Sequence, residues 1–177
     1  MSEEARSPEF SRVVSTARLT GTPAVHRIEA NAEERGALAH RFNLLELPRL
    51  EADVALRRLP GGHVRLDATL VAEVVQPCVV TLDPVPSTVG EEFSLVYSPD
   101  VPTTMEDVLI AGDEDIVEPL VGETIDIGEA VAQQLSLALE PYPRVAGAAP
   151  ALEGIAEPKS LRSPFAALAK LRQPERE

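Results

Sequence analysis

The residues of this chain that could take part in chemistry are few and far apart in the sequence. The three histidines, His26, His40 and His63, have no metal ligand or acid–base partner at a useful spacing. A structural zinc site needs about four nitrogen or sulfur ligands, and the chain adds only one cysteine, Cys78. It also has no phosphate-binding glycine loop, no HExxH and no GxSxG. We therefore expect no metal, no cofactor and no enzymatic activity.

Cys78 is the one thiol that could act as a nucleophile. A catalytic thiol needs a nearby base and an electropositive setting, because the thiolate is the reactive form. The sequence neighbours of Cys78 are Val, Pro and Gln. We interpret Cys78 as a packed core thiol, with a reactive thiol as the alternative. A single cysteine cannot form an internal disulfide, which fits a reducing compartment.

Asp113, Glu114 and Asp115 form the densest group of carboxylates and are candidates for binding Mg²⁺ or Ca²⁺. They lack the spacing of an EF-hand and its glycine. No other phosphate-handling element accompanies them. A hydrolase that uses this cluster is therefore the weakest of the three functional hypotheses that the sequence raises.

The net charge of −13 is distributed unevenly along the chain. Between Arg65 and Arg144 there is no Lys, Arg or His, while sixteen carboxylates lie there. Such a block repels phosphate backbones and attracts basic partners; a solubilising surface is the alternative interpretation. The expected contact set for a basic protein is Asp113, Glu114, Asp115, Glu118 and Glu123.

Direct RNA binding is the competing hypothesis, through arginines in the first third of the chain. Most of these arginines have acids nearby in sequence, and no aromatic stacking platform accompanies them. The candidate set is Arg12, Arg18, Arg27, Arg41, Arg49, Arg57 and Arg58.

The elements that position these residues centre on the stretch 64–85. Apolar and polar residues alternate from Val64 to Val74, which is typical of a β-strand with one buried face. Gln76-Pro77 interrupts this strand because proline has no N–H to donate, and a turn is predicted at Asp83-Pro84. Further strands are predicted over residues 10–19, 25–28, 50–59, 92–97 and 116–120.

Two helices are predicted outside the central run of strands. One begins after Asn31 and extends to about Phe42; the other covers residues 127–139 and begins after Asp126. Each N-cap candidate has a glutamate three residues later, Glu34 and Glu129, which is the pattern of a capping box. Residues 98–115 are polar and acidic and are expected to form a long surface loop.

The order of these elements predicts an α+β fold. We expect an antiparallel, strongly curled β-sheet with two main helices packed on it, all within a single domain over residues 1–143. Residues 144–163 are predicted to be a flexible linker. Residues 164–172 are predicted to form a short C-terminal helix that docks, on its own domain or on a partner, through Phe165, Leu168 and Leu171.

The segment VVQPCVVTLDPVPSTVGEEF resembles the centre of the YceD-like family, the large-subunit ribosomal RNA accumulation proteins. Cys78, Leu82, Pro84 and Val85 match the family pattern, and Thr81 stands where a second cysteine is common. The resemblance extends to EFSRVV, IDIGEAVAQQLSLALEPYPR and SPFAALAKL, so it covers nearly the whole chain.

The resemblance implies a cytoplasmic, non-enzymatic factor that is needed for accumulation of large-subunit ribosomal RNA, and hence for ribosome biogenesis. Any metal binding by relatives with a cysteine pair does not carry over, because Thr81 replaces the second cysteine. Together with the acidic block, the resemblance predicts a basic protein partner, such as a ribosomal protein or an assembly factor. The sequence shows no secretory signal and no long apolar run, so we expect no membrane contact. We expect no small-molecule substrate either.

Overall fold

The computed structural model describes residues 8–99 and 116–148, and all structural statements concern these residues. In chain order the elements are β1 (Val13–Ser15), β2 (Ala24–Glu29), α1 (Ala32–Arg41), β3 (Glu46–Arg58), β4 (Val64–Pro77), β5 (Pro84–Ser98), β6 (Ile116–Pro119), β7 (Thr124–Asp126) and α2 (Ile127–Ala138). Strands β2 to β6 form one sheet in the order β2-β3-β4-β5-β6, and β1 pairs with β7 in a second, two-stranded sheet. The predicted α+β class is confirmed.

Strand β4 is the central strand of the large sheet, as the alternation of its residues predicts. It pairs antiparallel with β3 on one side and with β5 on the other. The predicted hairpin from β3 into β4 turns at Pro60–Gly62, where Gly61 and Gly62 have φ values of 78° and 85°. Glycine adopts this left-handed conformation without a steric penalty. The central strand continues through Gln76 to Pro77 rather than stopping before them.

Two expectations about this sheet were wrong. The sheet is mixed rather than antiparallel, because β6 runs parallel to the end of β5, with Leu95 opposite Ile116. The connection between them, residues 99–115, has the length that a crossover to a parallel strand requires. The sheet is also not strongly curled. The β4–β5 pairing runs without a register shift from Val64 to Pro77, so no bulge bends the two longest strands.

Helix α1 begins with the predicted capping box. The Asn31 side chain accepts hydrogen bonds from the backbone N–H groups of Glu33 and Glu34, and the Glu34 carboxylate accepts one from the Asn31 N–H. Asp126 likewise caps α2, accepting from the N–H groups of Gly128 and Glu129. The predicted second box was wrong, because the Glu129 carboxylate binds Arg41 of α1 instead.

The segment before β1 packs against the start of α2. Phe10 is fully buried, and the Asp126 carboxylate accepts hydrogen bonds from the Arg12 N–H at 2.7 Å and from the Ser11 hydroxyl. A Cβ atom on Gly128 would lie 2.5 Å from the Phe10 carbonyl oxygen, so only glycine allows this approach. The strand predicted over residues 10–19 is reduced to β1, because a 3₁₀ turn follows at Thr16–Arg18.

The core lies on one face of the large sheet. Leu38 of α1 and Leu135 of α2 belong to the same buried cluster as the inward-facing residues of β3 and β4, such as Leu50 and Leu70. The opposite face carries the polar residues that alternate with them, as expected for a sheet with helices on one side only. The two predicted helices therefore do pack on the sheet.

Several sequence-based predictions lie outside the described residues. These are most of the surface loop over 98–115, the linker over 144–163 beyond Ala148, and the C-terminal helix over 164–172. The domain boundary after residue 143 stays a prediction.

Candidate functional site

Cys78 begins the turn that joins β4 to β5. The Cys78 N–H donates to the Asp83 carbonyl at 2.8 Å, and the Leu82 N–H donates to the Cys78 carbonyl at 2.9 Å. Leu82 has a φ of 64° and its side chain is 75% exposed. The turn therefore spans residues 78–83, and Pro84, predicted to lie in it, is the first residue of β5.

The Cys78 thiol is fully buried, as predicted, but it lies outside the main core cluster. Hydrogen bonds lower the pKa of this thiol to about 7. The largest contribution comes from the Thr81 hydroxyl, and smaller ones come from the backbone N–H groups of Val145, Thr81 and Val80. The Thr81 hydroxyl and these backbone donors thus supply the electropositive setting that the neighbouring residues Val79, Pro77 and Gln76 lack. Burial still separates the sulfur from solvent-borne reactants.

The histidines do not come together around this thiol. His26 lies on β2, His40 is exposed on α1, and His63 follows the β3–β4 turn. Among residues 8–99 and 116–148, no three His, Cys, Asp or Glu side chains are arranged to hold a metal ion. In the same residues, no helix is both long and apolar enough to cross a membrane.

The predicted acidic contact set is placed only in part. Glu118 lies opposite Tyr97 across the β5–β6 pairing and lines a cleft of about 190 Å³ beside α2. Burial in this cleft raises the pKa of the Glu118 carboxyl. The pKa of Tyr97 is also raised, first by burial and then by the charge of Glu118. Glu123 is exposed before β7. The other three members, Asp113, Glu114 and Asp115, lie outside the described residues.

The fold brings arginines from the first third of the chain onto several acids of the block between Arg65 and Arg144. Three such ion pairs are Arg57–Asp67 at 4.0 Å, Arg49–Glu73 at 3.8 Å and Arg41–Glu129 at 2.8 Å. The sequence alone therefore overstates the unbalanced negative charge of this block, because folding places arginines beside some of its acids. Strand pairing between β3 and β4 and helix packing create these pairs, and neither can be read from sequence spacing.

Glu91 and Glu92 are two acids of the block that are exposed on a strand and, unlike Glu73, have no arginine partner among the described residues. Both lie in β5, where they belong to opposite faces of the sheet because consecutive strand residues alternate. No side chain of the described residues forms an ion pair or hydrogen bond with either carboxylate. Glu91 and Glu92 are here called the β5 acids, and both are exposed to solvent.

The arginines proposed for RNA binding are mostly engaged with carboxylates. The ion pairs are Arg12–Glu34, Arg27–Glu51, Arg41–Glu9, Arg41–Glu129, Arg49–Glu51, Arg49–Glu73 and Arg57–Asp67. Of the remaining two, Arg58 donates to the Thr16 carbonyl, and Arg18 is exposed on the 3₁₀ turn. A phosphate ligand would have to compete with a neighbouring acid at most of these positions.

The outer edge of β5 was missed by sequence reasoning, which placed this strand over residues 92–97 only. Among the described residues, β5 pairs from Pro84 to Ser94 with β4 alone, and β6 lies beside Leu95–Ser98. The signal was present: Val85, Val89 and Phe93 recur every four residues and are all half-buried. This spacing places the three side chains on one face of a strand.

A model of one protein family matches residues 66–172, more than half of the chain. Its description is "Large ribosomal RNA subunit accumulation protein YceD". The chain belongs to the YceD family. No curated protein and no solved structure matches the chain.

The YceD match begins within β4 and includes the Cys78 turn, β5, β6 and α2. Cys78, Leu82, Pro84 and Val85, which carried the resemblance, all lie in it. So do Phe165, Leu168 and Leu171 of the C-terminal segment, although that segment lies outside the described residues. The match does not include EFSRVV near the N-terminus, so it covers less of the chain than the resemblance does.

Proposed function

We propose that this chain is a non-enzymatic, cytoplasmic factor that supports accumulation of large-subunit ribosomal RNA by binding a basic protein through an acidic surface. The expected partner is a basic ribosomal protein or a basic assembly factor. The description of the YceD family supports the role in ribosomal RNA accumulation.

One observation carries the choice of a protein over RNA as the direct partner. The matched residues 66–172 contain the β5 acids and all five predicted contact acids. They contain none of the seven arginines of the RNA hypothesis, all of which precede residue 66. A function shared with the YceD family is therefore better served by the acids than by these arginines.

The charge state of the described residues supports the same choice. No cation of residues 8–99 and 116–148 forms an ion pair with the β5 acids, so a basic partner has no such ion pair to displace there. Exposed charges of this kind act mainly by raising the association rate and by selecting against wrong partners. Within the predicted contact set, Glu123 is exposed and is therefore accessible to a partner. Glu118 instead lies in the cleft beside Tyr97.

The experiment is a complementation test in the native host. The gene is removed, and large-subunit ribosomal RNA is measured relative to small-subunit ribosomal RNA. The wild-type gene is then returned in parallel with Glu91→Gln/Glu92→Gln and with a control, Glu29→Gln/Glu46→Gln. Glu29 and Glu46 are exposed strand acids that precede the matched residues, so the control removes the same charge elsewhere.

We expect the loss of the gene to lower the large-subunit RNA specifically. The wild type and the control should restore it, and the β5 variant should restore it incompletely. An unchanged RNA ratio after gene removal would contradict the proposed role. Full complementation by the β5 variant would show that the β5 acids are not part of the binding surface.

A further inference from the structure

Among the described residues, part of the outer edge of β5 has backbone hydrogen-bonding groups without a strand partner. Over Ser87–Ser94 this edge has no strand partner among the described residues, while the inner edge is paired continuously with β4. Every second residue of an edge strand directs its N–H and C=O outward, which gives about four residues that a further strand could bond. Pro84 and Pro86 precede this stretch and cannot donate, so they limit its start.

Gly90 lies in the middle of this stretch without a conformational reason for glycine. Its φ is not positive, and the pairing of β5 with β4 passes through Gly90 and Val71 without a register shift. A Cβ atom at this position would meet nothing within 4 Å. A glycine inside a strand often marks a place where another backbone approaches closely.

The charges next to this edge determine which strand can add to it. In an antiparallel pairing of two copies through this edge, opposed residues lie on the same face of the sheet. A pairing centred on Glu91 would therefore place Glu91 of one chain opposite Glu91 of the other, and a pairing centred on Glu92 would do the same for Glu92. Like charges placed directly opposite each other destabilise a strand pair. A second copy of the chain is therefore disfavoured, whereas a strand with two adjacent cations would place one cation beside each acid.

Half-buried Val89 and Phe93 add an apolar surface on the core side of the same edge. Short apolar or β-branched residues on either side of the two cations could pack there. Main-chain pairing then provides affinity and the alternating side chains provide selectivity, as in other cases of strand addition.

We propose that an extended basic segment of a partner protein binds this chain by adding a strand along Ser87–Ser94 of β5. This inference rests on the proposed function, because it specifies how the basic protein is held. The segment needs two adjacent Lys or Arg residues flanked by residues that favour strands.

The probe is a capped eight-residue peptide, Thr-Val-Thr-Arg-Arg-Val-Thr-Val, tested with the full-length protein. Two further versions carry N-methyl groups on alternate residues, on the odd positions in one and on the even positions in the other. N-methylation removes N–H donors from one edge of the peptide only. Affinity is measured by fluorescence anisotropy, and protection of the Ser87–Ser94 amides by hydrogen–deuterium exchange.

Strand addition predicts that one methylated version loses about tenfold or more in affinity while the other binds like the parent peptide. The parent peptide should slow exchange over Ser87–Ser94. Glu91→Gln/Glu92→Gln should weaken its binding, and Glu29→Gln/Glu46→Gln should not.

Equal binding of both methylated peptides would overturn strand addition and leave the basic-partner proposal standing. So would a failure of the parent peptide to bind a chain that still binds large-subunit ribosomal proteins. If the chain bound ribosomal RNA but neither the peptide nor those proteins, both the strand addition and the proposed function would be overturned.

Discussion

Arg41 of α1 and Glu129 of α2 form two side-chain hydrogen bonds, of 2.8 and 2.9 Å, although they are 88 residues apart in sequence. Arg41 also donates to Glu9 at 2.9 Å. A single guanidinium group thus joins both helices and the N-terminal segment. These acids raise the pKa of Arg41, chiefly through the hydrogen bonds to Glu129.

Removal of this pair should measurably loosen the contact between the helices. We expect Arg41→Met and Glu129→Gln each to lower the free energy of unfolding by about 0.5–1 kcal/mol, with most of that effect shared between them in a double-mutant cycle. The exposed pair Arg27–Glu51, at 3.5 Å, is the control and should show weaker coupling. Equal coupling in the two cycles, measured by urea denaturation, would contradict this account.

Gly128 should be essential for docking of the N-terminal segment. Alanine normally stabilises a helix relative to glycine by about 1 kcal/mol, but at this position its Cβ would lie 2.5 Å from the Phe10 carbonyl oxygen. Gly128→Ala should therefore lower the free energy of unfolding by about 1–3 kcal/mol. Gly36→Ala in α1, where the new Cβ meets nothing within 4 Å, is the control and should raise it. A stabilised Gly128→Ala variant would show that the segment does not pack there.

The capping box of α1 should make stability depend on acid pH. The Arg12 side chain, helped by the Asn31 N–H, lowers the pKa of the Glu34 carboxyl. A lowered pKa in the folded state adds stability that is present at neutral pH and is lost as pH falls through that pKa. Glu34→Gln should therefore cost about 1 kcal/mol at pH 7 and progressively less below about pH 4. A cost that is constant between these pH values in thermal unfolding would contradict the assignment.

Cys78 should affect stability in the neutral to alkaline range. Its pKa is lowered to about 7, so ionisation of the thiol favours the folded state, and the stabilisation grows as pH rises above that value. The melting temperature of the wild type relative to Cys78→Ala should increase from about pH 6 to about pH 9. The Cys78→Ala variant should still restore ribosomal RNA levels in the host. Complete loss of function with an intact fold would show that the thiol takes part in chemistry.

Local signals made the helices and the central hairpin predictable from sequence. Alternation identified β4, and the N-caps Asn31 and Asp126 located both helix starts because their side chains bind groups within three residues. The parallel placement of β6 was not predictable from sequence, because 17 residues separate β6 from β5 and local sequence signals do not determine which strand it pairs with. Glu129 was assigned to a local capping box because Arg41, its actual partner, is distant in sequence.

The candidate site was predictable only in its charge. The sequence reveals that residues 66–143 contain no cation, but it does not tell which acids acquire arginine partners. Packing pairs Glu129 with Arg41, and strand register pairs Glu73 with Arg49. Glu91 and Glu92 are exposed and have no ion pair among the described residues, a tertiary property that the local sequence does not encode.

Association kinetics across a salt series test the central claim most directly. The chain is immobilised and exposed separately to RNA-free large-subunit ribosomal proteins and to protein-free ribosomal RNA from the host. Wild type, Glu91→Gln/Glu92→Gln and the control Glu29→Gln/Glu46→Gln are compared.

We predict that the proteins associate with the wild type faster than the RNA does. The β5 variant should associate more slowly than the control at low salt, and the difference should disappear as salt screens the charges. Faster association of the RNA, or equal rates for the β5 variant and the control at low salt, would contradict the account.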